Sequence, residues 1–165
     1  MSVVGSPIPR KEDVKFLTGQ ARYVENLSAP GMLHLVVVRS PHAHAAINAV
    51  DLSAALAADG VVAAFTAADL AGEWGGALPC AWPVTEDIKI PDHYPLAGDR
   101  ARYAGDGVAV VLADSRAAAK DAAGLVEVDY EPLASVTDVA KAAAEGAPLV
   151  HEDFDTNDSY TWGLQ

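Results

Sequence analysis

Cysteine, aromatic residues and positive charge are all scarce in this sequence. Its 165 residues include one cysteine, Cys80, which excludes an internal disulfide framework. Aromatic residues make up 7%, and 11 lysines and arginines stand against 23 aspartates and glutamates, for a formal net charge of -12. Such an acidic chain lacks the excess of positive charge that binds nucleic acid or an anionic membrane surface, so neither is an expected partner.

Long apolar runs are also missing. Runs such as VAVVLA at 108–113 are far too short to span a bilayer, and the start MSVVGSPIPRKED has no apolar stretch of the signal-peptide type. Hydrophobic residues still make up 51% of the chain, enough to bury a core in one domain, or in one domain with an arm. We therefore expect a soluble protein of a reducing compartment, most simply the cytoplasm.

Composition divides the chain into three segments. Residues 1–31 combine prolines, glycines and mixed charge with little periodicity, which predicts an extended N-terminal arm with a turn at LTGQ (17–20). Residues 32–150 alternate short β-branched runs with short alanine-rich stretches, which predicts a domain of the α+β class. Residues 151–165 lose periodicity again, which indicates a tail or a linker.

Strands and capped helices alternate in the central segment. Strands are predicted at 32–40, 47–50, 61–66, in two pieces within 100–114, and at 126–133. Short helices follow predicted capping residues, namely Asp51, Thr66 with Asp69, Asp114, and Ser135 with Asp138. Residues 71–98 are rich in proline, glycine and tryptophan, and a loop this long is usually functional or packed on something.

Two histidines at the end of the first predicted strand are the first candidate site. In VVVRSPHAHAAI (36–47), His42 and His44 are two residues apart and would share a face on a strand. A zinc site needs a third and usually a fourth ligand, and His34, His93 and His151 are all distant in sequence. A structural role, with the imidazoles bonded to nearby carbonyls, is favoured over a metal pair, and a catalytic role has no visible partner.

Two further motifs favour structural interpretations. DFDTND (153–158) begins like a calcium loop, but Asp158 stands where glycine is needed and Leu164 where glutamate is needed, which favours a solvated acidic tail. The segment Gly105-Asp106-Gly107 lacks the third glycine of a dinucleotide fingerprint and precedes a strand, so it predicts a tight turn. The sequence has no Walker-type loop and no nucleophile elbow.

The long loop at 71–98 carries the remaining candidates. No basic residue lies near Cys80 in sequence to make it a reactive thiol, so a packed loop cysteine is expected. Trp74, Trp82 and Tyr94 either line a ligand pocket or anchor the loop on another domain, and the anchor is favoured because aromatic residues are enriched at interfaces. The residues alone therefore assign no catalytic, cofactor-binding or metal-ligating side chain.

Five blocks in a fixed order resemble the N-terminal region of the molybdenum hydroxylase large subunit, the family of xanthine dehydrogenase, aldehyde oxidase and aerobic carbon monoxide dehydrogenase. They are PRKEDVKFLTGQARYVENLSAPGMLH (9–34), VRSPHAHAAI (38–47), VDLSAALAADGVVAAFTAADL (50–70), RYAGDGVAVVLADSRAAAKDAAGLVEVDYEPL (102–133) and GAPLVHED (146–153). The positions that match include Arg10, Asp13, Phe16, Gly19, Tyr23, Arg39, Ser40, Pro41, His42 and His44. Gly107 departs, since the family often has proline there. The resemblance implies the α/β hammerhead fold for residues 32–150.

The same resemblance implies a role within a larger enzyme. Such an enzyme hydroxylates a carbon centre, or oxidises carbon monoxide, with oxygen taken from water. Molybdopterin (as the cytosine dinucleotide), iron–sulfur clusters and FAD are implied for the full assembly, and none of them for this chain. Family large subunits are several times longer, and their molybdenum ligands lie after the hammerhead domain. The expected function is therefore a non-catalytic scaffold.

The expected partners are the remaining cofactor-binding domains of the large subunit and the iron–sulfur and FAD subunits. Two alternatives stay open. One is a stand-alone binding or assembly module of the same fold without enzymatic activity. The other is a small metal-binding protein that uses His42 and His44.

Overall fold

The computed structural model describes residues 4–163. The chain forms two compact units, Met1–Met32 and Leu33–Gln165. No helix within residues 4–163 is long and apolar enough to cross a membrane. A separate tail from residue 151 onward stays a prediction.

The first unit is not purely extended, and that expectation was wrong. It contains a short helix, α1 (Asp13–Leu17), and one 3-10 turn at Val24–Asn26. The carboxylate of Asp13 accepts hydrogen bonds from the backbone N–H of Arg10 at 3.1 Å and from its Nε at 2.8 Å. These bonds stabilise the start of the helix, where unpaired backbone N–H groups favour negative charge.

The second unit is built on two three-stranded antiparallel sheets. The first has the order β1-β5-β3, with β1 at His34–Arg39, β3 at Val61–Thr66 and β5 at Gly107–Ala113. The second has the order β4-β2-β6, with β2 at Ala45–Asp51, β4 at Arg100–Ala101 and β6 at Glu127–Pro132. Three short helices lie between the strands in sequence, namely α2 (Ser53–Leu56), α3 (Ala67–Leu70) and α4 (Arg116–Ala123), and a fourth, α5 (Val139–Ala142), follows β6. The predicted α+β class is confirmed.

The core of the second unit consists mostly of alanine. Val108 and Val111 of β5 are its largest fully buried side chains. One cluster joins Ala55, Ala64, Val111 and Ala122, which come from α2, β3, β5 and α4. Because alanine side chains are small, the helices lie close to the first sheet, and the central position of β5 makes Val111 the main apolar contact of this cluster.

The helix caps are partly as predicted. Thr66 and Asp69 form the expected capping box, and Asp138 caps α5 by accepting from Lys141 N–H at 2.9 Å. The prediction for α4 was wrong, because its N-cap is Ser115, whose Oγ accepts from Ala118 N–H at 3.2 Å. Asp114, directly after β5, instead bonds to the residue directly before β3, because its N–H donates to Gly60 O at 2.9 Å.

The last two helices are short. α5 ends at Ala142, and α4 ends at Ala123, directly before Gly124. Glycine lacks a Cβ and is a poor helix former, so Gly124 ends the alanine-rich stretch.

Replacing Ser115 with alanine is expected to lower the free energy of unfolding by about 1 kcal/mol, because Ala118 N–H loses its acceptor at the start of α4. Urea denaturation followed by circular dichroism measures the change. Ser135→Ala is the control, because Ser135 is exposed and Asp138 caps the helix that follows it. Equal losses in the two variants would contradict the assignment of Ser115 as the cap.

Candidate functional site

His42 and His44 lie in the bend between β1 and β2, and their side chains meet different neighbours. His44 is 8% exposed, and its Nδ1 is 2.9 Å from the carbonyl of Ala134. Because a carbonyl only accepts, Nδ1 carries a proton. The His42 ring lies edge-on to Tyr130, with 5.0 Å between the ring centroids. The shared strand face was therefore a wrong expectation, and the carbonyl-bonded role is confirmed for His44.

Hydrogen bonds join the residues before these histidines to the turn that precedes β5. Ser40, 2% exposed, donates its N–H to Asp106 O at 2.8 Å, and its own carbonyl accepts from Gly105 N–H at 2.8 Å. Arg39 Nη1 donates to Gly105 O at 2.8 Å. Gly105 has φ +98°, which favours glycine. The predicted tight turn is confirmed, and it holds the β1–β2 corner in place.

Asp106 is a buried carboxylate that the sequence analysis did not single out as a site. It is 5% exposed, and its Oδ2 accepts from the backbone N–H of Arg102 at 3.0 Å. Burial raises the pKa of the nearby Tyr103 phenol, and the negative charge of Asp106 and a hydrogen bond to it add to the rise. Asp106 therefore orders the segment between β4 and β5, where its carboxylate already interacts with the Arg102 N–H and with Tyr103.

An open cleft of about 700 Å³ lies beside this turn, and we call it the Arg102 cleft. Its basic side chains are His93, Arg100, Arg102 and His151. Its carboxylates are Asp92, Asp99, Asp106 and Asp153. Arg100 lies in β4, Arg102 follows directly after this strand, and both side chains line the cleft. An ion pair between Arg100 Nη1 and Glu152 joins this strand to the segment that carries His151.

Burial and nearby charges act together on His151. Its pKa is lowered first by burial and next by the positive charge of Arg102. Asp153 opposes this, while His93 and His44 lower the pKa further. The Arg102 cleft thus combines groups of both signs, and the charge of Arg102 acts on His151.

Asn157 is a structural residue, and the interpretation of DFDTND as a solvated tail was wrong at this position. Its Nδ2 donates to Ala142 O at 3.1 Å and to Pro148 O at 3.0 Å, and its Oδ1 accepts from Val150 N–H at 3.0 Å. An asparagine amide both donates and accepts, which suits this role. Leu164, at the last position of the rejected calcium pattern, lies outside the described residues.

The aromatic residues of the long loop differ in their contacts and in their exposure. Trp74 and Tyr94 stack with 5.2 Å between ring centroids and line a groove of about 470 Å³, as the pocket alternative would place them. Trp82 is 80% exposed, so its role as an anchor stays a prediction. Cys80 is exposed rather than packed, so that expectation was wrong.

The loop is held by residues near the end of the described chain. Lys89 N–H donates to Ser159 O at 2.9 Å, and Ser159 Oγ donates to Lys89 O at 3.3 Å. Thr161 N–H donates to Asp87 Oδ2 at 3.3 Å. We call residues 82–89 and 158–162 the loop–tail surface. Two tryptophans of this surface are exposed, Trp82 to 80% and Trp162 to 65%.

Residues 18–134 match the family described as aldehyde oxidase and xanthine dehydrogenase, a/b hammerhead domain. The chain belongs to this family. The match covers most of the chain, and it confirms both the resemblance to molybdenum hydroxylases and the hammerhead fold expected from the sequence blocks.

Known relatives extend the hammerhead match over almost the whole chain. The nicotine 6-hydroxylase large subunit of Paenarthrobacter nicotinovorans is 38% identical over 156 residues, which is 94% of this chain and 19% of that protein. The carbon monoxide dehydrogenase large chain of Afipia carboxidovorans is 41% identical over 151 residues, 92% of this chain and 18% of that protein.

A solved structure gives the same result for the hammerhead fold. Quinoline 2-oxidoreductase from Pseudomonas putida 86 superposes with a TM-score of 0.81 at 38% identity, and the match covers 94% of this chain and 20% of that one. This hammerhead chain thus spans about a fifth of the length of the relatives that it matches.

Proposed function

We propose that this hammerhead domain is a structural, non-catalytic part of a molybdenum hydroxylase large subunit. The observation that carries the proposal is the extent of the match. Residues 18–134 correspond to the hammerhead domain, and the chain spans 18–20% of the relatives described above. In this proposal, hydroxylation or carbon monoxide oxidation takes place in the other four fifths of such an enzyme.

The side chains present do not fit the redox cofactors of the family. An iron–sulfur cluster is held by several cysteine thiolates, and this sequence has one cysteine, Cys80. No group of three or more His, Cys, Asp or Glu side chains within residues 4–163 could hold a metal ion. We therefore assign no chemical step to this chain, and we place molybdopterin (as the cytosine dinucleotide), the iron–sulfur clusters and FAD in the rest of the assembly.

The proposed partners are the remaining domains of the large subunit and the iron–sulfur and FAD subunits. The loop–tail surface supports this assignment, because Trp82 and Trp162 are large, exposed aromatic side chains. Aromatic residues are enriched where proteins meet. We propose the cytoplasm as the location, in keeping with a chain that has a single cysteine.

The test is the metal content of the isolated chain. The 165-residue chain, purified from cells that make molybdopterin, is expected to contain molybdenum at background level and to reduce no acceptor dye with xanthine, aldehydes or carbon monoxide. Elemental analysis by mass spectrometry gives the metal content. A full-length large subunit of the same family, expressed with its partner subunits and purified in parallel, is the positive control.

Stoichiometric molybdenum in the isolated chain would overturn the proposal. A second measurement separates the scaffold from the stand-alone alternative. When the chain is produced together with the remainder of a large subunit, a scaffold co-purifies with it, whereas a stand-alone module does not. Trp82→Ser with Trp162→Ser is expected to weaken that association, and Val139→Ser, at an 88% exposed residue on α5, is the matched control.

A further inference from the structure

Arg102 stands out in the cleft that carries its name, because its guanidinium has no partner among the described residues. Its Nε is buried and has no hydrogen-bond acceptor, and no carboxylate within residues 4–163 forms an ion pair with it. A buried donor without an acceptor destabilises a protein. Nε and a terminal nitrogen of one guanidinium together form the fork that binds two oxygens of a carboxylate or phosphate.

Arg100, in β4 two residues before Arg102, provides a comparison. Its Nε is buried without an acceptor, like that of Arg102, but its Nη1 forms an ion pair with Glu152, so part of its guanidinium is already neutralised. The buried carboxylate of Asp106 accepts from the backbone N–H of Arg102 and has Tyr103 beside it. Within residues 4–163, a carboxylate thus pairs with the Arg100 guanidinium, and none forms an ion pair with that of Arg102.

Three of the four carboxylates lie at the exposed rim of the cleft, namely those of Asp92, Asp99 and Asp153, and the fourth, that of Asp106, is 5% exposed. The basic residues His93, Arg100, Arg102 and His151 are all half-buried. Water and salt screen charges at an exposed rim far more than charges in the interior. An anion at Arg102 is therefore screened from the three rim carboxylates, and the buried carboxylate of Asp106, which accepts from the Arg102 N–H, is the one that opposes its binding.

We propose that the Arg102 cleft is an oxyanion-binding site, in which the Arg102 guanidinium binds two oxygens of a carboxylate or phosphate group and the His151 imidazole lies beside it. Arg102 lies close enough to act on His151, because its positive charge is, after burial, the next cause of the lowered pKa of His151. The same chemistry has two sources, a free phosphate ion and a carboxylate side chain of a partner. This inference does not depend on the scaffold role.

The test uses His151 as a reporter in the 165-residue chain. The imidazole Hε1 resonance of His151, assigned with His151→Gln, is titrated with pH by NMR in chloride, in acetate and in phosphate at equal ionic strength. A bound anion stabilises the imidazolium, so the pKa of His151 is expected to rise by about one pH unit when the site fills. A response to phosphate alone identifies a phosphate site, and a response to acetate identifies a carboxylate site.

Three variants make the result specific. Arg102→Gln is expected to abolish the anion-dependent rise, and Arg102→Lys, which keeps the charge but not the fork, to weaken it. Arg116→Gln, at an exposed arginine of α4 outside the cleft, is expected to retain it in full. Circular dichroism confirms that each variant is folded. An unchanged His151 pKa in both anions, or an equal rise with Arg102→Gln, would overturn the proposal.

Discussion

Val111→Ala is expected to lower the free energy of unfolding by about 2–3 kcal/mol. Val111 has 0% exposure on the central strand β5, where it contacts the small side chains of α2, β3 and α4. Removing two methyl groups costs about 0.8 kcal/mol each in transfer free energy, and the cavity adds to this because its alanine neighbours are too short to fill it. The change is a large part of the stability of a domain of this size.

Chemical denaturation measures the effect of Val111→Ala as a lower midpoint concentration of denaturant. The slope of the free energy of unfolding against denaturant concentration is expected to stay unchanged. Val62→Ala is the matched control, because it makes the same chemical change on the neighbouring strand β3 at a residue that is 58% exposed. Its expected cost is below about 0.5 kcal/mol. If both variants lose the same amount, Val111 is not the centre of the core.

Gly107→Ala is expected to destabilise the domain by about 1–3 kcal/mol, through overpacking rather than through backbone strain. A Cβ at this position would lie 3.1 Å from Val37 Cγ1, 3.2 Å from the backbone oxygen of Pro95 and 3.3 Å from Leu96 Cδ2. The backbone there has little room to move, because Ala97 N–H donates to Gly107 O at 2.7 Å. Thermal unfolding followed by circular dichroism gives the loss as a lower midpoint.

The control for Gly107→Ala is Gly72→Ala in the long loop. A Cβ at Gly72 meets nothing within 4 Å, and Gly72 does not have the positive φ that disfavours alanine. Its expected effect is close to zero or slightly stabilising, since alanine restricts the unfolded chain. A loss at Gly72 as large as at Gly107 would contradict the steric explanation.

Local patterns predicted the local parts of the fold. The run VVAAFT (61–66) predicted β3 to the residue, and Thr66 with Asp69 predicted the cap that follows it. Both depend on neighbours within four positions in the sequence. The predicted cap at Asp114 was wrong, and the residue that accepts its N–H, Gly60, lies more than fifty positions earlier in the sequence.

The Arg102 cleft was beyond prediction because distant segments build it. His44 bonds to a carbonyl ninety positions away, and the partner of Arg100, Glu152, comes from a segment after the last strand. Sequence spacing made His42 and His44 look like a pair, whereas the bend after β1 sends them to different neighbours. A single sequence carries no signal that would have joined Arg102 to His151.

The loop–tail surface has a consequence for how the protein is made. Lys89 and Ser159, which bond to each other, are 70 residues apart. At roughly 5–20 residues per second, ribosomes need about 4–14 s to synthesise that interval. The long loop, with Trp82, therefore leaves the ribosome earlier, by about this interval, than the chain segment that later holds it. In between, the nascent chain is open to aggregation and to chaperone binding, and slowing translation between these two residues would prolong that time.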